Sequence, residues 1–323
     1  MSILSVKEIP EKKAITYQNF SCLQTLTGHS GSVYAVTLTP DNQQIVSWSL
    51  DKTLKIWNLA TGNCLRTQAG FSSVNSFSIT PNGKTLISAS WDETLTLWDL
   101  ATGNCLQRLA TLTGEDAFAS SIVITRDGKQ IISSSWDKTL KIWDLETGEC
   151  LRQLEGHIGD VNSVILSPDG QQIFSGSWDA TIRRWDLATG ECLQILKSRS
   201  HQFDCLACCA ADPYGIAPDG QTLVASSKDK ALTFWDLATG KRLKIIRGHS
   251  KEIVGILITP DGKTLITASW DETIRFSDLA TGDCFKILKG HSGRIWAIAL
   301  TRDGKTLVSG SQDKTIKIWG ISP

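Results

Sequence analysis

Short apolar runs recur along the whole chain, each bounded by Pro, Gly, Asn or Asp, and none keeps the three-to-four spacing of an amphipathic helix. Residues 74–109 show the unit. An apolar stretch from Val74 to Ile79 meets a Pro-Asn-Gly turn, where proline presets φ and glycine accepts a positive one. Thr85-Leu-Ile-Ser-Ala-Ser90 then runs into Asp92-Glu93, and Leu95-Thr-Leu-Trp98 follows with two-residue alternation. After Ala-Thr-Gly103 comes Cys105-Leu-Gln-Arg-Leu109. Each unit predicts four short strands, so the expected fold is all-β.

The unit repeats. The segment from Pro81 to Gly103 returns almost unchanged from Pro260 to Gly282, and related versions begin at Pro40, Arg126, Pro168, Pro218 and Arg302. One position marks the period: Trp57, Trp98, Trp143, Trp185, Trp235, Ser277 and Trp319, spaced by 41, 45, 42, 50, 42 and 42 residues. Seven units at such a period predict seven propeller blades of four antiparallel strands. The last unit stops after its third strand, near Trp319, while a spare strand, Cys22-Leu-Gln-Thr-Leu26, precedes the first unit. Pairing the two would remove both open edges, so the N-terminal strand is expected to close the ring. Residues 1–20 are then a tail and 21–323 a single propeller domain.

Gly-His near the start of a unit, Trp-Asp at its end and an Asp six residues before the Trp resemble the WD40-repeat family over roughly residues 21 to 320. The resemblance implies a hydrogen-bonded set of His, Ser or Thr, Asp and Trp in each blade. Matching positions give three full sets: His29, Ser47, Asp51 and Trp57; His157, Ser175, Asp179 and Trp185; His291, Ser309, Asp313 and Trp319. Unit six has His249, Thr267 and Asp271 but Ser277 in place of Trp. Unit two has Gly70 and unit three Glu115 where His is expected, and in unit five Ala225 replaces the Ser, with His201 the nearby histidine. Weaker networks are expected in blades two, three, five and six. Ser, His and Asp also make hydrolase triads, but three copies on one ring point to architecture, since a nucleophilic site occurs once. No other histidine remains for a general base.

Lys+Arg and Asp+Glu both number 33, so the net charge is +0 and no global basic surface invites nucleic acid. No run of about 18 apolar residues would cross a bilayer, and Met1 to Phe20 lacks the apolar core of a secretory signal, so the chain is expected in the cytoplasm. Of nine cysteines, Cys22, Cys64, Cys105, Cys150, Cys192 and Cys284 share one outer-strand position, too far apart between blades to bridge. They read as reduced thiols. Cys205, Cys208 and Cys209 could hold half a zinc site, but no second pair lies nearby, so a divergent inner strand is expected and no metal or cofactor. The insertion from Lys197 to Tyr214 is a candidate surface loop.

In peptide-binding members of the family the resemblance implies contacts just before the turn Asp and near the start of the first strand. The former are Leu50, Trp91, Trp136, Trp178, Lys228, Trp270 and Gln312. The latter are Ser32, Ser73, Phe118, Asp160, Glu252 and Arg294, then Tyr34, Asn75, Ser120, Asn162, Val254 and Trp296. Four Trp at one ring position, expected to be exposed, would serve as interface anchors or would merely have been copied with their repeats. The leading expectation is a monomeric, non-enzymatic scaffold for a protein or peptide, with Asp160, Glu252 and Arg294 orienting it. A lectin-like propeller stacking sugars on the Trp ring is the alternative. An enzyme with a channel active site is a weaker third, because no catalytic constellation and no phosphate-cradling glycine loop is present.

Overall fold

The turn chemistry read from the sequence is the chemistry that folds the blades. In a computed structural model describing residues 17–71, 74–90, 94–109, 119–197, 203–205 and 215–322, the Thr39 hydroxyl donates to Asp41 Oδ1 (2.6 Å), which also accepts the Gln43 N–H at 3.0 Å. This ties the Pro40 turn, and Asn42 takes the left-handed φ of 57° that glycine supplies at the same place in other blades. At the next turn, Asp51 Oδ1 accepts from Thr53 N–H and Oγ1 at 2.9 and 2.6 Å. One turn therefore ends the inner strand and the other ends the second strand, in blade after blade.

Seven four-stranded antiparallel sheets result. Blade one comprises Val33–Leu38, Gln44–Ser49, Thr53–Asn58 and Cys64–Ala69, and the other blades follow the same order from axis to rim. The chain forms a seven-bladed β-propeller with no α-helix among the described residues. Blade seven contains Ile295–Leu300, Thr306–Ser311 and Ile316–Ile321, and Phe20–Leu26 pairs with Ile316–Ile321 as its fourth strand. The N-terminal strand thus closes the ring. The packed chain starts earlier than the expected tail boundary: Tyr17 and Phe20 are buried and their rings lie 5.6 and 5.5 Å from Phe276 in blade six. Two aromatics, five and two residues ahead of Cys22, fill a place between blades that a strand-based boundary does not reveal.

The core is a series of apolar wedges between adjacent blades. Small residues make the wedges fit: a Cβ on Gly310 would come within 2.8 Å of Val33 and 2.9 Å of Val36 in the neighbouring blade. Most wedges carry the third-strand tryptophan, with Trp57 and Trp185 each 2% exposed. The ends of the propeller differ. Inner strands begin at what we call the upper face, beside the His and turn-Asp loops, and end at the lower face on the Pro turns.

Candidate functional site

The blade networks come first, because they fix the upper-face loops. In blades one, four and seven the indole N–H of Trp57, Trp185 and Trp319 donates to Ser47, Ser175 and Ser309, each at 2.8 Å. The same hydroxyls lie 2.8, 2.8 and 2.7 Å from Nε2 of His29, His157 and His291. Nδ1 of these histidines reaches Asp51, Asp179 and Asp313 at 2.9, 2.8 and 2.7 Å. A carboxylate only accepts, so Nδ1 carries the proton, Nε2 accepts, and the serine gives its hydrogen to histidine while taking the indole's. The aspartates also receive the backbone N–H of Ser30, Ile158 and Ser292, which pins the loop after each histidine. Burial alone would raise these carboxyls, but hydrogen bonds from histidine, threonine and backbone outweigh it and hold Asp51, Asp179, Asp271 and Asp313 well below the usual range. Burial pushes His29 down, towards the neutral form.

The departures are specific rather than uniform. Blade two keeps its Trp98–Ser88 bond at 2.8 Å, and blade three keeps Trp143–Ser133 at 2.9 Å. In blade three the buried Lys141 supplies the cation that reaches Asp137, at 2.6 Å. Blade five loses the acceptor: with Ala225 in place of serine, the buried Trp235 N–H has no partner among the described residues. Blade six retains His249–Asp271 and His249–Thr267, both at 2.9 Å, and lacks only the indole.

On this frame the two sets of positions expected to contact a partner are joined by backbone bonds. The N–H of Leu50, Trp178, Trp270 and Gln312 donates to the carbonyl of Ser32, Asp160, Glu252 and Arg294, at 2.8 to 3.0 Å. Side chains then form two aromatic–cationic tracts round the mouth of the axial channel. In one, Trp136 lies 6.0 Å from Trp178, and Lys228 Nζ stands 4.4 Å above the Trp178 ring. In the other, the Arg294 guanidinium lies 4.8 Å over Trp270, which meets Trp296 edge-on at 5.1 Å. Trp296 stacks on Tyr34 at 4.4 Å, and Tyr34 meets Trp48 at 6.0 Å. Trp136, Trp178, Trp270, Trp296 and Tyr34 are half-buried, the ring tryptophans among them not exposed as the sequence suggested, because each covers its neighbour and two carry cations, while Trp48 is fully buried. The buried indole N–H groups of Trp48, Trp178, Trp270 and Trp296 have no acceptor among the described residues.

Trp91, Phe118 and Ser73 lie outside the described residues, as do His201, Cys208, Cys209 and most of the Lys197–Tyr214 insertion. Asn75 and Ser120 bind the neighbouring blade: Asn75 Nδ2 donates to the Ala119 carbonyl at 3.1 Å, and Ser120 Oγ donates to that of Val161. Two upper-face residues escaped the sequence reading. Ile158 is 80% exposed in the place of Ser30, Ser250 and Ser292, and Trp48 fills a position that is Ala, Ser or Gly in every other unit. Both signals lay in the alignment of the repeats. At the lower face all seven blades line a cavity of about 630 Å³, ringed by five prolines together with Arg126 and Arg302. Among the described residues no three His, Cys, Asp or Glu side chains cluster as a metal site would require, and no helix is long and apolar enough to cross a membrane.

A closed ring of near-identical four-stranded blades, tied at one face by His–Asp loops, defines a repeat propeller. The chain belongs to the family described as "WD domain, G-beta repeat", whose model matches residues 20–58, 62–99, 106–144, 148–186, 190–236, 240–278 and 282–320. Curated relatives match over short stretches. A "Ribosome biogenesis protein BOP1 homolog" of Drosophila ananassae is 46% identical over 52 residues, 16% of this chain and 7% of the relative. The "Vegetative incompatibility protein HET-E-1" of Podospora anserina is 50% identical over 42 residues, 13% and 3% respectively. The "Pre-mRNA-splicing factor PRP46" of Yarrowia lipolytica is 39% identical over 54 residues, 17% and 12%. The matched stretches thus span only a small part of these relatives.

Proposed function

We propose that the propeller is a non-enzymatic scaffold that holds a peptide segment of a protein partner on its upper face. The observation that carries this reading is the pair of aromatic–cationic tracts at the channel mouth, Trp136–Trp178–Lys228 and Arg294–Trp270–Trp296–Tyr34. Large rings held in place by neighbours lose little freedom on binding, which is why Trp and Arg anchor interfaces. Half-burial leaves part of the Trp136, Trp178, Trp270, Trp296 and Tyr34 rings for the partner. Exposed Leu50 and Ile158 extend the apolar contact outward. Asp160, Glu252, Trp91 and Phe118 belong to the same proposed surface by position in the repeat.

The carbohydrate reading has less support, since sugar stacking needs an open ring face and cations already stand over Trp178 and Trp270. The short matches to proteins named for ribosome biogenesis and splicing cover about one repeat each and carry no process to this chain. Six exposed thiols fit a reducing compartment, and we place the protein in the cytoplasm as a monomer. The test is affinity capture from native extract with the unmodified chain and with a Trp178→Ala/Arg294→Ala variant of unchanged melting temperature. A partner held by the first and lost by the second supports the site. A partner held equally by both moves the contact elsewhere on the propeller.

A further inference from the structure

We propose that the gap left by Ser277 in blade six is a binding pocket for a small planar aromatic molecule with a ring N–H, of the indole class. The repeats Pro81–Gly103 and Pro260–Gly282 are nearly the same sequence, yet Trp98 in one is Ser277 in the other. The side chain is missing; the machinery around it is not.

Three observations define what is absent. The first is the space. A Cβ placed on Gly28, Gly156 or Gly290 would meet the far edge of Trp57, Trp185 or Trp319 at 3.2, 3.4 and 3.1 Å. On Gly248 of blade six it would meet, within 4 Å, nothing but the Arg275 guanidinium. No other side chain has moved into the indole's place, and a cavity of about 400 Å³ opens there between blades five and six. Ile246, Ile253, His249, Thr267, Arg275 and Ser277 line it. A cavity of about 150 Å³ already suffices for a benzene-sized ring.

The second is the hydrogen bond. His249 Nδ1 donates to Asp271, so Nε2 takes the Thr267 proton, as in the complete blades. In those blades the hydroxyl oxygen then receives an indole N–H. In blade six no side-chain donor among the described residues reaches Thr267 Oγ1. A buried acceptor is left open at a fixed point and direction.

The third is the ring face. Arg183 in blade four and Arg275 in blade six occupy the same repeat position. The Arg183 guanidinium lies 5.9 Å over the Trp185 ring, whereas Arg275 has no ring beneath it among the described residues; the buried Nε is unpartnered in both arginines, so the ring contact alone separates the two blades. The pocket therefore offers an apolar side made by Leu232, Ile245, Ile246 and Ile253, the open Thr267 acceptor and the Arg275 guanidinium, with Arg247 and Asp283 also on its lining. A planar heteroaromatic whose N–H points at Thr267 satisfies all three.

Indole itself is the probe, with benzofuran as the shape-matched ring that cannot donate. Binding is read by ligand-detected NMR and by the rise in melting temperature of the whole chain. Indole is expected to bind the unmodified protein and raise its melting temperature, with benzofuran about tenfold weaker for want of one hydrogen bond. Thr267→Val should bring indole down to the benzofuran level. Ser277→Trp should abolish indole binding and raise the melting temperature unaided; Ser277→Leu, which occludes the slot without restoring the network, should abolish binding as well. Failure of indole to bind overturns the proposal. So does equal binding of indole and benzofuran, or indole binding that survives Ser277→Trp and Ser277→Leu, which would put the ligand on the upper-face tryptophans.

Discussion

At the scale of single residues, the energetics of the repeat are those of buried polar groups, where an unmade bond costs more than a made one gains. Ser309→Ala strands two partners at once, the Trp319 N–H and His291 Nε2, and should destabilise by about 2–4 kcal/mol in urea titration. The reverse experiment is available in blade five: Ala225→Ser gives the orphaned Trp235 N–H an acceptor and should raise stability by about 1 kcal/mol. A null or destabilising result would mean that the Trp235 indole does not sit as its counterparts do. These network residues were legible in the sequence because seven copies reveal which positions must co-occur. The compensation in blade three was not, since Lys141 aligns with Lys55 and Lys317, which bond instead to Thr67 and Thr25, and only the fold shows that it turns to Asp137. Half-burial of the upper-face tryptophans was equally hidden, because it depends on rings from adjacent blades meeting.

At the scale of elements, turns and pleats were readable because each is local: a Pro-Asp-Gly or Asp-Lys-Thr cluster specifies its own hydrogen bonds, and period-two alternation specifies the faces. Non-local matters were legible only where counting strands forced an answer, as with ring closure. Phe20–Leu26 supplies the outermost strand of blade seven, and its Phe20, with Tyr17 ahead of it, plugs the seam with blade six. Removing residues 1–26 should expose the Ile316–Ile321 edge and the Phe276 pocket together. The expected outcome is a large drop in melting temperature with concentration-dependent aggregation, measured by light scattering during a thermal ramp. A truncated chain that melts as the intact one does would show that the seam contributes nothing. The Tyr17 turn could not be inferred, since a single 3-10 turn of three residues, Tyr17–Asn19, is too short to show a period.

At the scale of the whole molecule, the repeated network sets the response to pH. The folded-state values of Asp51, Asp179, Asp271 and Asp313 are depressed, so the unfolded chain binds more protons in acid, and the stability they supply is present above about pH 4 and lost below it. His29 is also depressed, so its contribution begins to fade earlier, as pH falls through about 6.5. Melting temperature should therefore be level above neutrality, sag slightly in weak acid and collapse below about pH 4. A protein most stable in weak acid would contradict the assignment of a neutral His29. The closure of the ring has one more consequence, in time rather than in space. The hydroxyls of Ser21 and Ser322 lie 3.2 Å apart across 301 residues of chain. On the ribosome Phe20–Leu26 must therefore wait for Ile316–Ile321, and while the ring is being made both ends of its growing stack of blades present open, apolar edges. Synthesis of the propeller should engage chaperones until Ile316–Ile321 emerges, and a message cut short within the seventh blade would yield a chain that never stops sticking.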